Sequence, residues 1–158
     1  GGYAPNERVQ AVRLMNNEFI PVAASSYLAA AGTPKYATDL KQHQGLFFRT
    51  PTGPHTWLCQ SNGQWLDVSA LPLAISNNGK WLGEQAIAGQ GIMMAPRWLV
   101  QEYIDSNELQ ELQIEPTLHI SQNPGLAIYL LYQKQQYLVP KVKVAVDFLM
   151  ARFSADSI

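Results

Sequence analysis

Cys59 and His55 are the side chains best suited to covalent chemistry, because a thiolate nucleophile needs a base close by. The chain has one cysteine and three histidines. Cys59 and His55 lie four positions apart in a segment predicted to be a strand, where they would share a face but stand more than ~10 Å apart. This separation prevents direct proton transfer, so Cys59 is predicted to be a small buried side chain. A single cysteine also excludes an internal disulfide.

Gly89 and Gly91 form a Gly-x-Gly pair, a pattern that can hold a phosphate when it lies between a strand and the start of a helix. Here the pair follows a predicted helix and precedes a predicted strand, so the order is wrong for a phosphate site. Gly89 is instead predicted to end the helix in a left-handed conformation, and Gly91 to allow a tight turn.

Asn77 and Asn78 follow a predicted strand and begin a predicted helix. Ligands of open α/β sheets bind at the carboxyl ends of strands, and a helix N-terminus offers N–H groups and partial positive charge. A plain helix cap explains the same residues, because an asparagine side chain accepts a hydrogen bond from the first helical turn. Both interpretations stand at this stage.

The remaining titratable side chains show no catalytic or metal-binding arrangement. Acidic residues lie on separate predicted elements, so nothing pairs them for acid–base catalysis. His43 is predicted to bond free carbonyls at a helix end, His119 to be exposed, and no second ligand lies at metal spacing. We therefore expect no catalytic residue, no metal and no cofactor. The acidic residues considered are Asp39, Glu84, Asp105 and Asp147.

The composition is typical of an ordinary folded domain. Of 158 residues, 47% are hydrophobic and 15% are charged, which supplies a core and argues against disorder. The formal net charge is -1, and no cationic cluster marks a nucleic-acid surface. No apolar run approaches the ~20 residues of a membrane span, so no membrane association is expected.

Strands and helices are predicted to alternate along the chain, which indicates an α/β sheet covered on both faces. A strand from residue 19 runs into a helix cap at Ser25 or Ser26, and Trp57 and Trp65 are expected to face each other across a hairpin. Residues 114–125 are predicted to cross between two lobes. Further strands are predicted at residues 45–50, 71–76, 91–95 and 126–132, and helices at 27–32, 38–43, 78–89, 97–106 and 140–153.

Three segments together resemble the effector-binding domain of LysR-type transcriptional regulators. They are "AASSYLAAAGTPKYATDLKQHQGLFFR", "NNGKWLGEQAIAGQGIMMAPRWLV" and "YLVPKVKVAVDFL". Each motif alone is modest, whereas their order and spacing are specific and cover nearly the whole chain. The matching positions are Tyr27, Gly32, Pro34, Asp39-Leu40, His43, Gly89, Gly91, Pro96, Pro140-Lys141-Val142 and Phe148-Leu149.

The resemblance implies an α/β fold like that of type 2 periplasmic binding proteins, with one complete lobe and the returning part of the other. Residues 3–120 would form the second regulatory lobe, and residues 126–158 the returning strand and helix of the first. The winged helix-turn-helix and most of the first lobe would lie outside this chain. The implied effector contacts are Phe48, Arg49, Thr50, Pro51, Asn77 and Asn78.

These contacts suit an organic anion, because an arginine binds a carboxylate in a bidentate manner and hydroxyl and amide groups add directional hydrogen bonds. The implied function is effector sensing in a bacterial, cytoplasmic transcription factor that is not an enzyme. Implied partners are a small-molecule effector, a second copy in a homodimer or homotetramer, DNA through the missing domain only, and RNA polymerase. The alternative is an exported solute-binding protein of the same fold.

Overall fold

A computed structural model describes residues 8–123 and 125–155 of the chain. The strands are β1 Val9–Asn16, β2 Phe19–Ala23, β3 Gln44–Thr50, β4 Gly53–Pro54, β5 Leu58–Ser61, β6 Gln64–Asp67, β7 Leu71–Ser76, β8 Ile92–Pro96, β9 Gln110–Glu111 and β10 Ala127–Gln133. The helices are α1 Ser25–Ala31, α2 Gly79–Ile87, α3 Arg97–Asp105 and α4 Pro140–Ala155, with 3-10 helices at Ala37–Gln42 and Lys134–Leu138. The described residues therefore have the mixed α/β character that the sequence predicted.

Two compact units divide the chain, a larger one of Glu18–Pro124 and a smaller one of Gly1–Asn17 with Gly125–Ile158. The sequence predicted that residues 3–120 form one lobe. The structure instead places β1 in the smaller unit, because β1 hydrogen-bonds antiparallel to β10 from Val9 to Asn16. Residues 3–7 of this predicted lobe lie outside the described residues.

The larger unit is built on a six-stranded sheet in the order β4-β3-β8-β2-β9, with β7 also paired to β3. Strands β3, β7 and β8 run parallel, and β2 runs antiparallel to β8. The carboxyl ends of these three parallel strands therefore meet at one edge of the sheet, beside the start of β2. Ligands of open α/β sheets bind at this kind of edge.

Each face of this sheet packs against its own core cluster. The first core cluster includes Phe47 and joins the sheet to α1, the 3-10 helix and the hairpin. The second core cluster includes Leu46 and joins the sheet to α2 and α3. Because Phe47 and Leu46 are adjacent in β3, the alternation of a strand sends them to opposite faces. Cys59, Met93 and Met94 are buried, as predicted.

Strands β5 and β6 form the predicted hairpin around Asn62 and Gly63, both with positive φ. The predicted pairing of Trp57 with Trp65 is wrong. Trp65 lies opposite Gln60 in the register, and its ring meets the edge of His119. Trp57 precedes β5 and stacks on Phe47 with 4.5 Å between ring centroids. This contact in the core removes more apolar surface of Trp57 from water than a contact across the exposed hairpin would.

Helix ends follow the local sequence at α2 but not at α1. The side chain of Asn78 caps α2, and Gly89 has a φ of 79° just beyond it. Helix α1 begins after Ala24 without a side-chain cap, so the prediction of a cap at Ser25 or Ser26 is wrong. The Ser25 hydroxyl instead accepts a hydrogen bond from Gln110, which lies on β9. The Ser25 hydroxyl thus bonds a residue from a distant strand instead of capping its own helix.

The segment predicted as a crossing, residues 114–125, mostly belongs to the larger unit. Ile114 and Leu118 are buried in the first core cluster, because removing their apolar surface from water stabilises the fold. The backbone of His119 pairs with Leu58 in both directions at 2.7 Å, and its side chain is half-buried rather than exposed. The two units change over at the end of the predicted crossing, between Pro124 and Gly125, while the rest of the segment packs within the larger unit.

The smaller unit contains the β1–β10 ribbon, the 3-10 helix Lys134–Leu138 and α4. Its helix presents the predicted apolar stripe, with Val146 buried and Val142, Leu149 and Phe153 half-buried. Lys143 lies outside this stripe and forms an ion pair with Asp147 at 2.7 Å. The period of 3.6 residues was therefore sufficient to predict the packing face of α4.

Candidate functional site

The two predicted effector segments lie side by side at the carboxyl edge of the large sheet. Phe48 of β3 pairs in parallel register with Ser76 of β7. The loop after Thr50 and the junction at Asn77 therefore follow neighbouring strand ends. Sequence alone did not establish this adjacency, because 26 residues, among them the β5–β6 hairpin, separate Thr50 from Asn77 in the chain.

Phe48 anchors the site to the helices on its face of the sheet. Its side chain packs against the second core cluster. A Cβ placed on Gly79 would lie 3.8 Å from Phe48 Cε2 and 3.9 Å from Leu99 Cδ2. The first turns of α2 and α3 therefore converge on this ring.

Arg49 points away from Phe48 and Thr50. Alternation along β3 places it on the face that carries Phe47, while Phe48 and Thr50 share the opposite face. Its backbone pairs with Pro54 of β4, and its side chain is exposed. The structure thus brings the other aromatic and polar side chains of the two predicted segments to one end of the sheet. The side chain of Arg49 lies on the opposite face of β3 and is separated from them by the sheet.

Thr50 builds the loop that follows it. Its hydroxyl donates to the carbonyl of Gly53 at 2.8 Å and lies 3.0 Å from the Thr52 hydroxyl. The backbone N–H of Thr52 approaches the same oxygen at 3.3 Å. Pro51 is exposed at the tip of this turn. A ligand at Thr50 would therefore meet a preformed turn rather than a mobile side chain.

Asn77 and Asn78 differ in how their side chains are used. Asn78 Oδ1 accepts the backbone N–H of Trp81 at 3.0 Å, and the Asn78 N–H donates to the Ser76 hydroxyl at 3.1 Å. Asn77 is exposed, and its side-chain amide makes no hydrogen bond within residues 8–123 and 125–155. The cap interpretation is confirmed for Asn78, while the amide of Asn77 remains available to a ligand.

His55 is a neighbour of this site that sequence reasoning considered only as a base for Cys59. Its ring lies 5.7 Å from Phe48 and 5.9 Å, edge-on, from Phe19. Its backbone N–H donates to the carbonyl of Phe48 at 2.9 Å. Burial lowers the pKa of His55. No local signal predicts this contact, because it depends on β4 folding back on β3.

Arg97 was also missed, although it begins α3 at the same edge of the sheet. Its guanidinium donates to Glu18 before β2 and to Glu111 of β9, each at 2.8 Å. Both acceptors raise the pKa of Arg97, with the hydrogen bond to Glu111 the largest cause. This network joins the start of β2, α3 and β9, so it orders the backbone around the site.

The arrangement suits ligand binding better than catalysis. Within the described ranges, no group of three His, Cys, Asp or Glu side chains could hold a metal ion. Cys59 is buried in the first core cluster. The edge offers a turn hydroxyl, an amide, an aromatic ring and the N-terminus of α2, which are groups that orient a small molecule.

The family model for the LysR substrate binding domain matches residues 1–154. The chain belongs to this family. The predicted resemblance is confirmed, as is the α/β fold like that of type 2 periplasmic binding proteins. A LysR substrate-binding domain is the effector-binding regulatory part of a transcriptional regulator, and the comparisons do not favour the solute-binding alternative.

Several relatives of known or assigned role are similar over most of this domain. The regulator CrgA of Neisseria meningitidis is 29% identical over 154 residues, covering 94% of this chain and 48% of that protein. The activator TtdR of Escherichia coli is 28% identical over 139 residues, covering 87% of this chain and 43% of that protein. The LysR domain therefore spans less than half the length of these two relatives.

Solved structures show the same fold. The CrgA regulatory domain matches with a TM-score of 0.78 at 25% identity, covering 95% of this chain and 72% of that chain. The regulatory domain of AphB from Vibrio vulnificus matches with a TM-score of 0.73 at 26% identity, covering 96% and 72%. Among the described residues, no helix is both long and apolar enough to cross a membrane.

Proposed function

We propose that this LysR domain binds a small-molecule effector at the carboxyl edge of β3 and β7. The observation that carries the proposal is the register pair of Phe48 with Ser76, which places the two predicted contact segments side by side. The contacts proposed are Phe48, Thr50, Pro51, Asn77 and Asn78, with Arg49 on the other face of β3.

A carboxylate is the effector class that this edge favours. The N-terminus of α2 presents backbone N–H groups and partial positive charge at the end of β7. The Asn77 amide adds a directional donor, the Thr50 hydroxyl holds the adjoining turn by its bond to Gly53, and the Phe48 ring supplies an apolar surface. Because Arg49 lies on the opposite face of its strand, we propose that it tunes the local potential rather than pairing with the ligand.

Regulation would follow from a difference in effector affinity between two conformations of the whole protein. In this proposal the domain is one part of a cytoplasmic regulator that acts as a homodimer or homotetramer. DNA contact would be made by a segment outside this chain, with RNA polymerase as a further partner. We propose no catalytic activity, no metal and no cofactor for it.

Thermal unfolding of the chain against acetate, benzoate and succinate tests the site. A ligand at one hundred times its Kd stabilises the folded state by about 2.7 kcal/mol, a shift of roughly 5–10 °C in Tm for this size. Asn77→Ala and Thr50→Ala should abolish the shift, whereas Thr50→Ser should retain it because the hydroxyl remains. Thr117→Ala, an exposed threonine far along the chain, serves as the matched control.

The outcomes separate the site from the function. A shift that survives both alanine variants would keep the sensor and refute the residues. A shift lost equally in Thr117→Ala would show a general loss of stability rather than a lost contact. If none of the three carboxylates shifts Tm, the carboxylate class is refuted.

A further inference from the structure

A cavity of about 230 Å³ opens on the face of the large sheet that carries Phe47. This is the face of the first core cluster, whereas α2 and Phe48 pack with the second. The cavity therefore lies on the face opposite the helix N-terminus of the proposed effector site, and His55, which lines the cavity, also contacts Phe48 of that site. The apolar part of its lining, called the floor below, consists of Phe47, Pro54, Ala70, Pro72 and Ile75.

Polar groups lie around this floor and carry one negative charge. Asp67 is the charged member, and its Oδ1 accepts the backbone N–H of Ser69 at 2.9 Å. The Ser69 hydroxyl accepts the N–H of Trp57 at 3.0 Å, which orients the wall of the cavity. His55 and Thr56 complete the polar side. Arg49 shares the strand face of Phe47 but does not line the cavity.

Charge and chemistry decide between classes of ligand. Because burial lowers the pKa of His55, its imidazole is neutral near pH 7 and leaves Asp67 uncompensated. An anion would therefore be repelled. A metal ion is disfavoured too, since the described residues hold no cluster of three His, Cys, Asp or Glu side chains. A cation with an apolar body matches both the carboxylate and the floor.

Size limits that cation to a small molecule. Pockets for drug-sized ligands measure roughly 300–1,000 Å³, and this cavity is smaller. A single ring with a short amino group fills such a space. We propose that the cavity binds a small primary amine, with its ring on Phe47, Pro72 and Ile75 and its ammonium group beside Asp67.

Three probes with one ring and different charges test this site. We would titrate the full chain with benzylamine, benzyl alcohol and benzoate and follow backbone amide shifts by NMR. The expected result is that benzylamine binds most tightly and benzoate least, with the largest shifts at Ala70 and Ile75. Asp67→Asn should weaken benzylamine binding about fivefold and leave benzyl alcohol unchanged.

Two further variants keep the test independent of folding. Asn at position 67 can still accept the Ser69 N–H, so an unchanged spectrum of Asp67→Asn verifies the local structure. Asp105→Asn removes an exposed carboxylate on α3 and should leave all three affinities unchanged. Equal binding of amine and alcohol, a preference that persists in Asp67→Asn, or shifts centred on Asn77 would each overturn the proposal.

Discussion

The hydroxyl of Tyr27 lies 2.9 Å from Nδ1 of His43 and accepts the backbone N–H of Gln44 at 3.0 Å. Burial raises the pKa of Tyr27, so the phenol keeps its proton and forms a hydrogen bond with His43. Both side chains are buried. His43 was predicted to bond helix carbonyls; its ring instead bonds α1 across the core, because its side chain points inward.

Tyr27→Phe should lower the free energy of unfolding by about 1–2 kcal/mol, because it leaves the Gln44 N–H and His43 Nδ1 without this partner. Urea denaturation measures the change. Tyr36→Phe is the control, since Tyr36 is 58% exposed and its change should be near zero. Equal losses in the two variants would contradict the role of the buried pair.

Stability should fall as the pH drops below about 6.5, the ordinary pKa of histidine. Burial lowers the pKa of His43, partly opposed by Asp39, and burial also lowers the pKa of His55. The unfolded chain therefore binds protons that the folded chain does not, so stability is complete above pH 6.5 and is lost as the pH falls toward the lowered values.

His43→Gln and His55→Gln should each flatten this pH dependence, as measured by urea denaturation between pH 5 and 8. Because the two histidines lie in separate contacts, their effects should add. If the free energy of unfolding depends on pH between 5 and 7 in both variants as it does in the original chain, groups other than these histidines cause the effect.

Arg97→Met should destabilise the larger unit by about 1 kcal/mol at low salt, because it removes the bridge between Glu18 and Glu111. The loss should shrink in 1 M NaCl, since screening weakens exposed ion pairs. Lys143→Met removes one exposed helical pair with Asp147 and should cost less, because solvent screens that pair. Equal costs, measured by denaturation at both salt concentrations, would argue against a network.

Gly91→Ala and Gly83→Ala should change stability in opposite directions. A Cβ at Gly91 would lie 2.7 Å from the backbone oxygen of Gln44, so we expect a loss of about 1–3 kcal/mol. Gly83 lies within α2, and apart from its chain neighbours and the backbone of its own helix an added Cβ would have no atom within 4 Å. There alanine should stabilise by about 0.5–1 kcal/mol. Thermal unfolding distinguishes these outcomes, and a stabilising Gly91→Ala would contradict the close approach.

The sequence by itself determined the elements whose causes are local. The turn at Asn62-Gly63, the cap at Asn78, the helix end at Gly89 and the buried stripe of α4 all depend on backbone propensity or on a period of a few residues. The order and spacing of several short motifs along the chain also indicated the family.

Tertiary structure alone decided which of these elements meet. It placed Phe48 beside Ser76, brought His55 back onto Phe48, and joined Arg97 to Glu18 across 79 positions of the chain. It also sent Arg49 to the face opposite Thr50. These relations depend on strand register and on burial of apolar surface between distant segments, and neither quantity is present in a local stretch of sequence.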